Sequence, residues 1–215
     1  MSGSLSNPWT SAPFVAVDLE GTGAQDRDEE AILEIAAVPM VAGLPHMPAS
    51  YSTLVNPQRP VGRRPWVSPG LTHSVLRRAP LLDDVTRPLA ERINGRYLVG
   101  HNVGVDWRLL HRRVPGITPA GLIDTLRLAR ALGAPRRSLT ALVDDLGLTA
   151  TVHAADPAGQ PHRALWDAAA AALLLPALIR RRWRTAPPLA LLLAEAEVPM
   201  RLAQPVEAEP QPALF

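Results

Sequence analysis

The 215-residue sequence contains no cysteine, no lysine and few aromatic residues. Without cysteine the chain can form neither disulfide bonds nor thiolate metal sites, which is consistent with the cytosol. Aromatic residues make up 4% of the chain and hydrophobic residues 47%, so a core must be built mainly from Leu, Ala and Val. All 22 basic residues are arginine and the net charge is only +2, so the high pI of about 9.9 reflects the missing lysine more than excess positive charge. This balance permits a nucleic-acid partner without requiring one.

Long apolar runs are also missing. The sequence has no stretch of about 18 or more apolar residues, and its N-terminal residues lack the basic flank and apolar core of a signal peptide. We therefore expect neither a membrane span nor a secretion signal, and a cytoplasmic protein. A chain of this length is expected to form one domain with an appendage.

Changes in composition suggest where that domain begins and ends. Residues 1–12 are expected to be disordered and residues 13–184 to form the domain. Residues 185–210 are rich in Pro, Ala and Glu, so we expect a flexible tail there, followed by a distinct five-residue segment at 211–215.

Short β-rich runs alternate with segments of helical periodicity. This alternation predicts an α/β domain in which a mixed sheet, an antiparallel meander plus parallel strands, is flanked by helices. The expected N-caps are Asp83 or Asp84 and Ser138, and Pro176 is a point at which the last helix could bend. Strands are predicted at 14–19, 31–40, 51–55 and 96–100 with another beginning at Ile123, helices at 83–94, 101–111, 138–146 and 162–184, and a loop at 149–161.

The first predicted strand ends in two carboxylates and two glycines. Asp18 and Glu20 are two residues apart, so their side chains point to the same face of the strand. Two such carboxylates repel each other unless a cation or protons lie between them, and hard cations such as Mg²⁺ take oxygen ligands of this kind. Gly21 and Gly23 let the chain turn sharply and let a ligand approach the backbone. An acidic pair at a strand end is also common without a metal.

Two more acidic residues each follow a histidine by five positions. Asp106 follows His101 in a strand-to-helix segment, and Asp167 follows His162 at the start of the last predicted helix. The apolar stretch 168–175 comes next, and a carboxylate on an apolar face is costly unless it is paired or bound to a metal. Alternatively, Asp167 is an exposed position on an amphipathic helix and His162 is only a cap or a surface group.

These segments together resemble the motifs of a known nuclease family. Residues 14–23, 99–110 and 162–168 look like the first, second and third motifs of the DnaQ-like 3′→5′ exonucleases, in the histidine-bearing (DEDDh) branch. Residues 123–130 match a segment that is usual between the second and third motifs. The resemblance covers roughly residues 13–180, in the family's order and spacing, and three motifs together are far more specific than any one.

The resemblance implies a ribonuclease H-like fold and two divalent cations, Mg²⁺ or Mn²⁺, about 4 Å apart. Asp18 would bridge the two ions, Glu20 and Asp167 would bind the ion on the nucleophile side, and Asp106 would order the second ion. His162 would accept the proton of the attacking water, because the pKa of an imidazole near neutrality suits that role. Residues implied in holding the terminal nucleotide or shaping its site are Leu19, Gly21, Thr22, Gly23, His101 and Asn102.

Three positions depart from the family's pattern. Gly21 stands where a threonine is usual, Val105 where a phenylalanine is usual, and Pro69 where relatives often carry histidine. None of these positions is one of the five chemical groups, so the resemblance still implies an active enzyme.

The last five residues resemble a bacterial sliding-clamp-binding peptide. In that pattern a glutamine is followed three residues later by Leu-Phe, here Gln211, Leu214 and Phe215. A disordered arm could present one amide and two apolar anchors to a pocket on the clamp. An ordinary chain terminus is the alternative.

Several functions remain open. The leading interpretation is a nucleoid-associated 3′→5′ exonuclease that acts on single-stranded or frayed DNA 3′ ends in proofreading or repair, with a DNA polymerase and the sliding clamp as partners. A 3′→5′ exoribonuclease and a non-catalytic adaptor are the alternatives. The basic run 180–184 at the end of the last predicted helix either suits the helix dipole or contacts nucleic acid.

Overall fold

A computed structural model describes residues 5–62 and 67–200. Its strands are β1 (Phe14–Gly21), β2 (Ile32–Val41), β3 (Leu44–Pro45), β4 (Tyr51–Leu54), β5 (Tyr97–Gly100), β6 (Gly121–Asp124) and β7 (Glu197–Val198). Its α-helices are α1 (His73–Leu76), α2 (Leu82–Ile93), α3 (Val103–Arg113), α4 (Thr125–Ala131), α5 (Leu139–Asp145), α6 (Thr149–Ala155), α7 (Ala164–Arg182) and α8 (Leu189–Ala196), with short 3₁₀ turns at Trp9–Ser11, Ala24–Glu29 and Met47–Ala49.

The seven strands form one mixed sheet in the order β3-β2-β1-β5-β6-β7, with β4 also beside β2. Strand β2 is antiparallel to β1, β3 and β4, whereas β1, β5 and β6 are mutually parallel. The predicted meander plus parallel strands is therefore confirmed. Because parallel strands end at the same sheet edge, the acidic end of β1 lies beside the turns that lead from β5 into α3 and from β6 into α4.

Side-chain alternation along β1 divides the core between the two faces of the sheet. Phe14 and Ala16 pack with α4, α7 and α8, whereas Val15 and Val17 pack with α2 and α3. With the same period of two, Asp18 and Glu20 continue on the α7 face. Strand β1 therefore lies at the centre of both cores and also places two carboxylates on the side of the sheet that faces α7.

Helix α7 is unusually rich in alanine where it crosses the sheet. Residues Ala168 to Ala172 are buried, and their small side chains let the helix backbone lie close to β1 and β2. The helix continues through Pro176 without interruption, and its 19 residues make it about 27 Å long. At its C-terminal end Arg182 forms two 2.8 Å bonds to Glu195 of α8, so part of the basic run is bound within the domain.

The predicted helix caps are partly confirmed. Ser138 caps α5, because its Oγ accepts the N–H of Ala141 at 3.3 Å. Neither Asp83 nor Asp84 is the N-cap of α2, which is Leu81 instead. Asp84 stabilises the same turn from inside the helix by accepting the N–H of Leu81 at 3.1 Å.

Two further predictions of irregular structure are wrong. The predicted loop at 149–161 begins with α6, whose Val152 is buried against Trp166 and Ala170 of α7. The expected disordered N-terminus contains Trp9, which is buried in the α7-side core and donates its backbone N–H to the carbonyl of Pro187 at 3.0 Å. In both places an apolar side chain is buried against the domain. The free energy gained by this burial outweighs the weak local propensity for regular structure.

The expected tail from residue 185 is wrong as far as Val198. Leu189, Leu192 and Ala196 lie on one face of α8 and are buried in the α7-side core. Strand β7 then pairs antiparallel with β6. Pro188 acts as the N-cap of α8 and does not end the domain. Within the part of the chain that the structure describes, no helix is both long and apolar enough to cross a bilayer.

The packing of α8 predicts different effects for two adjacent leucines. Leu192 is fully buried, whereas Leu191 is 50% exposed. We expect Leu192→Ala to lower the free energy of unfolding by about 2–5 kcal/mol, because it leaves a cavity, and Leu191→Ala to change it by about 0.5 kcal/mol or less. Urea denaturation measures both values. Equal stability of the two variants would show that α8 does not pack on the domain.

Candidate active site

Three carboxylates from two elements meet at the acidic end of β1. Asp18 and Glu20 come from the strand, and Asp167 comes from the first turn of α7. One carboxylate oxygen from each lies within 4.8 Å of the other two, and all three side chains are partly exposed. Oxygen ligands at these separations can hold a divalent metal ion. The structure therefore brings together three of the four predicted metal ligands.

Asp106 approaches the same strand from the other face of the sheet. It lies in the first turn of α3, is only 8% exposed, and its Oδ1 accepts the backbone N–H of Leu19 at 3.1 Å. Leu19 points to the α3 face, where it packs against the second core, so this bond fixes α3 against the end of β1. Asp106 stands outside the group of three but close enough to act on the charge of Asp18.

The four carboxyl groups hold their protons more tightly than usual. Burial raises the pKa of Asp18 well above its ordinary range, and the charges of Asp106 and Asp167 raise it further. Burial also raises the pKa of Glu20 to about 7, that of Asp106 to about 8 and that of Asp167 to about 7. A divalent cation between these groups would compensate both the desolvation and the repulsion. The donor set thus fits a metal ion.

Ser68 orients Glu20. Its side chain is buried in the segment before α1, and its Oγ donates a short hydrogen bond to Oε2 of Glu20. This bond lowers the pKa of Glu20 against the larger effect of burial. Sequence reasoning missed Ser68, because it is 48 residues from Glu20 and only the neighbouring Pro69 stood out against the family's pattern.

His162 lies directly before α7, at the edge of the carboxylate group. Its backbone has φ = +66°, and its N–H donates to Oδ2 of Asp167 at 3.1 Å. The side chain is exposed, and its positive charge when protonated lowers the pKa of Glu20. The imidazole therefore belongs to the same electrostatic environment as the carboxylates.

A second buried acid, Glu34, adjoins the site and was also missed. It lies on β2 directly opposite Glu20 in the strand register. Arg163, the residue after His162, binds it through two 2.8 Å hydrogen bonds. In the sequence Glu34 is one polar residue within an apolar strand, and nothing in that pattern points to a partner 129 positions away.

Most of the predicted nucleotide-binding residues of the first motif make contacts within the domain. Thr22 is 2% exposed, and its hydroxyl accepts the N–H of Ala31 at 3.0 Å. Gly21 has Leu109 against it, since a Cβ there would lie 2.9 Å from Leu109 Cδ2. A side chain at position 21 would therefore require Leu109 to move. Gly23 has φ = +96°, which favours glycine at that turn.

His101 and Asn102, which precede α3, form hydrogen bonds to the segments around α4. His101 Nε2 donates to the carbonyl of Arg137 at 2.7 Å, and its Nδ1 lies 2.9 Å from Oγ1 of Thr125. Asn102 has φ = +69°, and its N–H donates to Oδ1 of Asp124 at 2.8 Å. Both residues therefore fix the start of α3, and only Asn102 has an exposed side chain.

The raised carboxyl pKa values predict how stability depends on pH. A folded-state pKa above the unfolded value means that the folded chain binds protons more tightly, so stability contributed by these groups falls as pH rises from about 4 to about 8. We expect the Tm of the metal-free protein to fall over this range and added Mn²⁺ to raise it more at pH 8 than at pH 5. At this length about 1 kcal/mol corresponds to roughly 2–4 °C.

Asp18→Asn is the control for that measurement, because it removes one ionisable group and one predicted metal ligand. The variant should lose stability less steeply with pH and should respond less to Mn²⁺. Identical pH and Mn²⁺ responses in the two proteins would contradict a shared charge cluster.

Comparisons with known proteins assign most of the chain to a family. The family model described as Exonuclease (RNase_T) matches residues 15–175, a range that includes all four carboxylates and His162. A DNA polymerase III subunit epsilon-like protein of Rhodobacter capsulatus is 32% identical over 183 residues, which are 81% of this chain and 25% of that protein. A PolC-type DNA polymerase III of Thermotoga petrophila is 32% identical over 170 residues, 77% of this chain and 12% of that protein. The chain thus spans a quarter or less of the length of these relatives.

A solved structure supports the same assignment. Exonuclease X in complex with 5′ overhanging duplex DNA is 29% identical, with a TM-score of 0.59 over 83% of this chain and 98% of that chain. The expected ribonuclease H-like α/β fold is therefore confirmed. With the family match over most of the sequence, these likenesses show that the chain belongs to the RNase_T exonuclease family of nucleases.

Proposed function

We propose that this protein is a 3′→5′ exonuclease that releases nucleoside monophosphates from DNA 3′ ends. The observation that carries the proposal is the meeting of Asp18, Glu20 and Asp167 within 4.8 Å, with Asp106 and His162 beside them. Five groups from β1, α3 and the start of α7 lie at the end of β1. Asp18, Glu20 and Asp167 are partly exposed and His162 is exposed, so a DNA end could approach them.

The carboxylates would hold two divalent cations, Mg²⁺ or Mn²⁺. Asp18 would bind both, Glu20 and Asp167 would bind one, and Asp106 would order the other. When bound, such ions lower the pKa of a coordinated water and neutralise charge on the attacking and leaving oxygens. Ser68 binds Oε2 of Glu20 and would thereby fix the orientation of that carboxylate.

His162 would accept a proton from the attacking water. Its exposed ring can reach a water at the carboxylate edge, and the bond from its backbone to Asp167 keeps the two groups in fixed relation. A general base contributes most when its pKa lies near the working pH, as that of an imidazole does.

The 3′-terminal nucleotide would lie over the turn that follows β1. Thr22 supports this turn from inside, because its hydroxyl is bound to Ala31. Gly23 and the exposed side chains of Asn102 and Val105 would contact the sugar and base. Gly21 has no side chain to contribute, and Leu109 lies beside it.

DNA is the favoured substrate because the names of similar proteins refer to DNA or to a DNA polymerase. Relatives are named as parts of DNA polymerase III, and exonuclease X was solved with duplex DNA. A role in proofreading or repair beside a DNA polymerase is consistent with both. An exoribonuclease would use the same groups, and a non-catalytic adaptor would not need all five of them.

Removal of the proposed base tests the reaction. We expect wild-type protein with Mg²⁺ or Mn²⁺ to shorten a 5′-labelled single-stranded DNA stepwise from its 3′ end. His162→Ala should lower the rate about 10²–10⁴-fold, because proton transfer from the water is lost. His153→Ala, an exposed histidine on α6, should leave the rate unchanged.

The same assay separates the alternatives. A matched RNA oligomer degraded faster than DNA would assign the protein to the exoribonucleases. Wild-type protein without activity on either substrate would support the adaptor. A His162→Ala variant as fast as wild type would contradict the role of this residue.

We also propose that the peptide 211–215 binds a sliding clamp. Gln211, Leu214 and Phe215 lie outside the residues that the structure describes, so the support is the sequence pattern alone. Deletion of 211–215 should abolish capture of the protein by the clamp and leave the degradation of a short DNA oligomer unchanged. Pro212→Ala, which keeps the three anchor residues, should still bind. Clamp binding that survives the deletion would rule the peptide out.

A further inference from the structure

The acidic end of β1 has a fifth carboxylate that the metal-binding group does not use. Glu34 on β2 lies directly opposite Glu20 and is only 4% exposed. Its side chain is on the α7 face, because it alternates with Ala36 and Val38, which pack in the α7-side core. A charge buried here, without compensation, would be costly for the fold and for the neighbouring carboxylates.

Arg163 supplies that compensation through a two-bond contact. Its Nε lies 2.8 Å from Oε2 of Glu34, and its Nη2 lies 2.8 Å from Oε1. The backbone N–H of Ala164 lies 3.4 Å from the same Oε2. A planar guanidinium that binds both oxygens of a carboxylate fixes orientation as well as distance, which the single ammonium of lysine does not.

The position of Arg163 in the chain gives this contact a consequence for the site. Arg163 is the N-cap residue of α7, between His162 and the first helical residue. Its bond to β2 therefore fixes the point at which α7 begins against the sheet. His162 precedes that point with a left-handed backbone, and Asp167 follows it by about one helical turn.

The charge of Glu34 also links it to the site. Glu34 lies opposite Glu20 in the strand register and is buried on the same face of the sheet, so its negative charge is close to the three carboxylates although it is not in their group. The guanidinium of Arg163 offsets this charge through its two bonds to Glu34. Loss of Arg163 would leave five acidic groups in one region.

We propose that Glu34 and Arg163 are a positioning pair that holds His162 and Asp167 in register with Asp18 and Glu20. The pair acts through these groups and does not touch the substrate. The inference rests on the proposed function, since it assigns the pair a role in that reaction.

A matched pair on the same helix provides the control. Arg182 and Glu195 form the same two-bond contact, with both distances 2.8 Å, at the opposite end of α7. We expect Arg163→Gln to lower kcat about 10²-fold with little change in KM, because a misplaced catalytic group costs rate more than binding. Arg182→Gln should retain wild-type kcat and KM.

A double-variant cycle tests whether Arg163 acts through Glu34. If it does, Glu34→Gln combined with Arg163→Gln should be no slower than Arg163→Gln alone. Arg163→Lys keeps the charge and loses the two-bond geometry, so its kcat should lie between wild type and Arg163→Gln. The double variant also avoids a buried unpaired charge, which guards against loss of folding in the single variant.

Two readouts do not depend on nuclease activity. Hydrogen exchange of the peptide that covers 160–168 should be faster in Arg163→Gln and unchanged in Arg182→Gln. Calorimetric Mn²⁺ affinity should fall about 10–100-fold in Arg163→Gln, as expected when a residue that orients ligands is lost. If wild type has no nuclease activity, the proposed function fails, whereas these two measurements still decide whether the pair positions the site.

The opposite results would overturn the proposal. An effect of Arg163→Gln on KM alone, independent of Glu34, would make Arg163 a substrate contact. Wild-type kcat, exchange and Mn²⁺ affinity in Arg163→Gln would make the pair an ordinary structural ion pair.

Discussion

Repulsion between carboxylates at the end of β1 is the constraint on which the rest of this site depends. Asp18, Glu20 and Asp167 are held within 4.8 Å at a sheet edge where burial already disfavours their charged forms. The fold does not relieve this repulsion by spreading the groups apart. It fixes Glu20 through Ser68 and Asp167 through the backbone of His162, so that the combined charge can bind a cation.

The two faces of the sheet contribute different parts of that site. On the α7 face, Asp18 and Glu20 lie close to Asp167. On the α3 face, Asp106 accepts the backbone N–H of Leu19. Because adjacent residues of a strand point in opposite directions, one short segment of β1 can be fixed from both sides. The central strand is thus both the middle of the core and the floor of the site.

Much of this arrangement was predictable because it depends on local patterns. The period of two placed Asp18 and Glu20 on one face, and the spacing of the later motifs indicated Asp106, His162 and Asp167. Contacts between distant segments were not predictable, since Ser68 reaches Glu20 across 48 residues and Arg163 reaches Glu34 across 129. Which residues become partners depends on the strand register and on how α7 packs against the sheet. Neither can be read from a single segment of the sequence. For the same reason the sequence of α8 predicts part of a tail, because its apolar face can be recognised only from the core that it covers.

Helix α7 links the stability of the domain to the geometry of its site. The buried alanines from Ala168 to Ala172 let the helix lie close to β1 and β2, and that closeness brings Asp167 to Asp18. The helix is about 27 Å long and is fixed to the rest of the domain by an arginine–glutamate pair at each end. A larger side chain on its buried face would push the helix away from the strands and Asp167 with it. The alanine-rich sequence, which by itself suggests only a core helix, therefore also affects the geometry of the site.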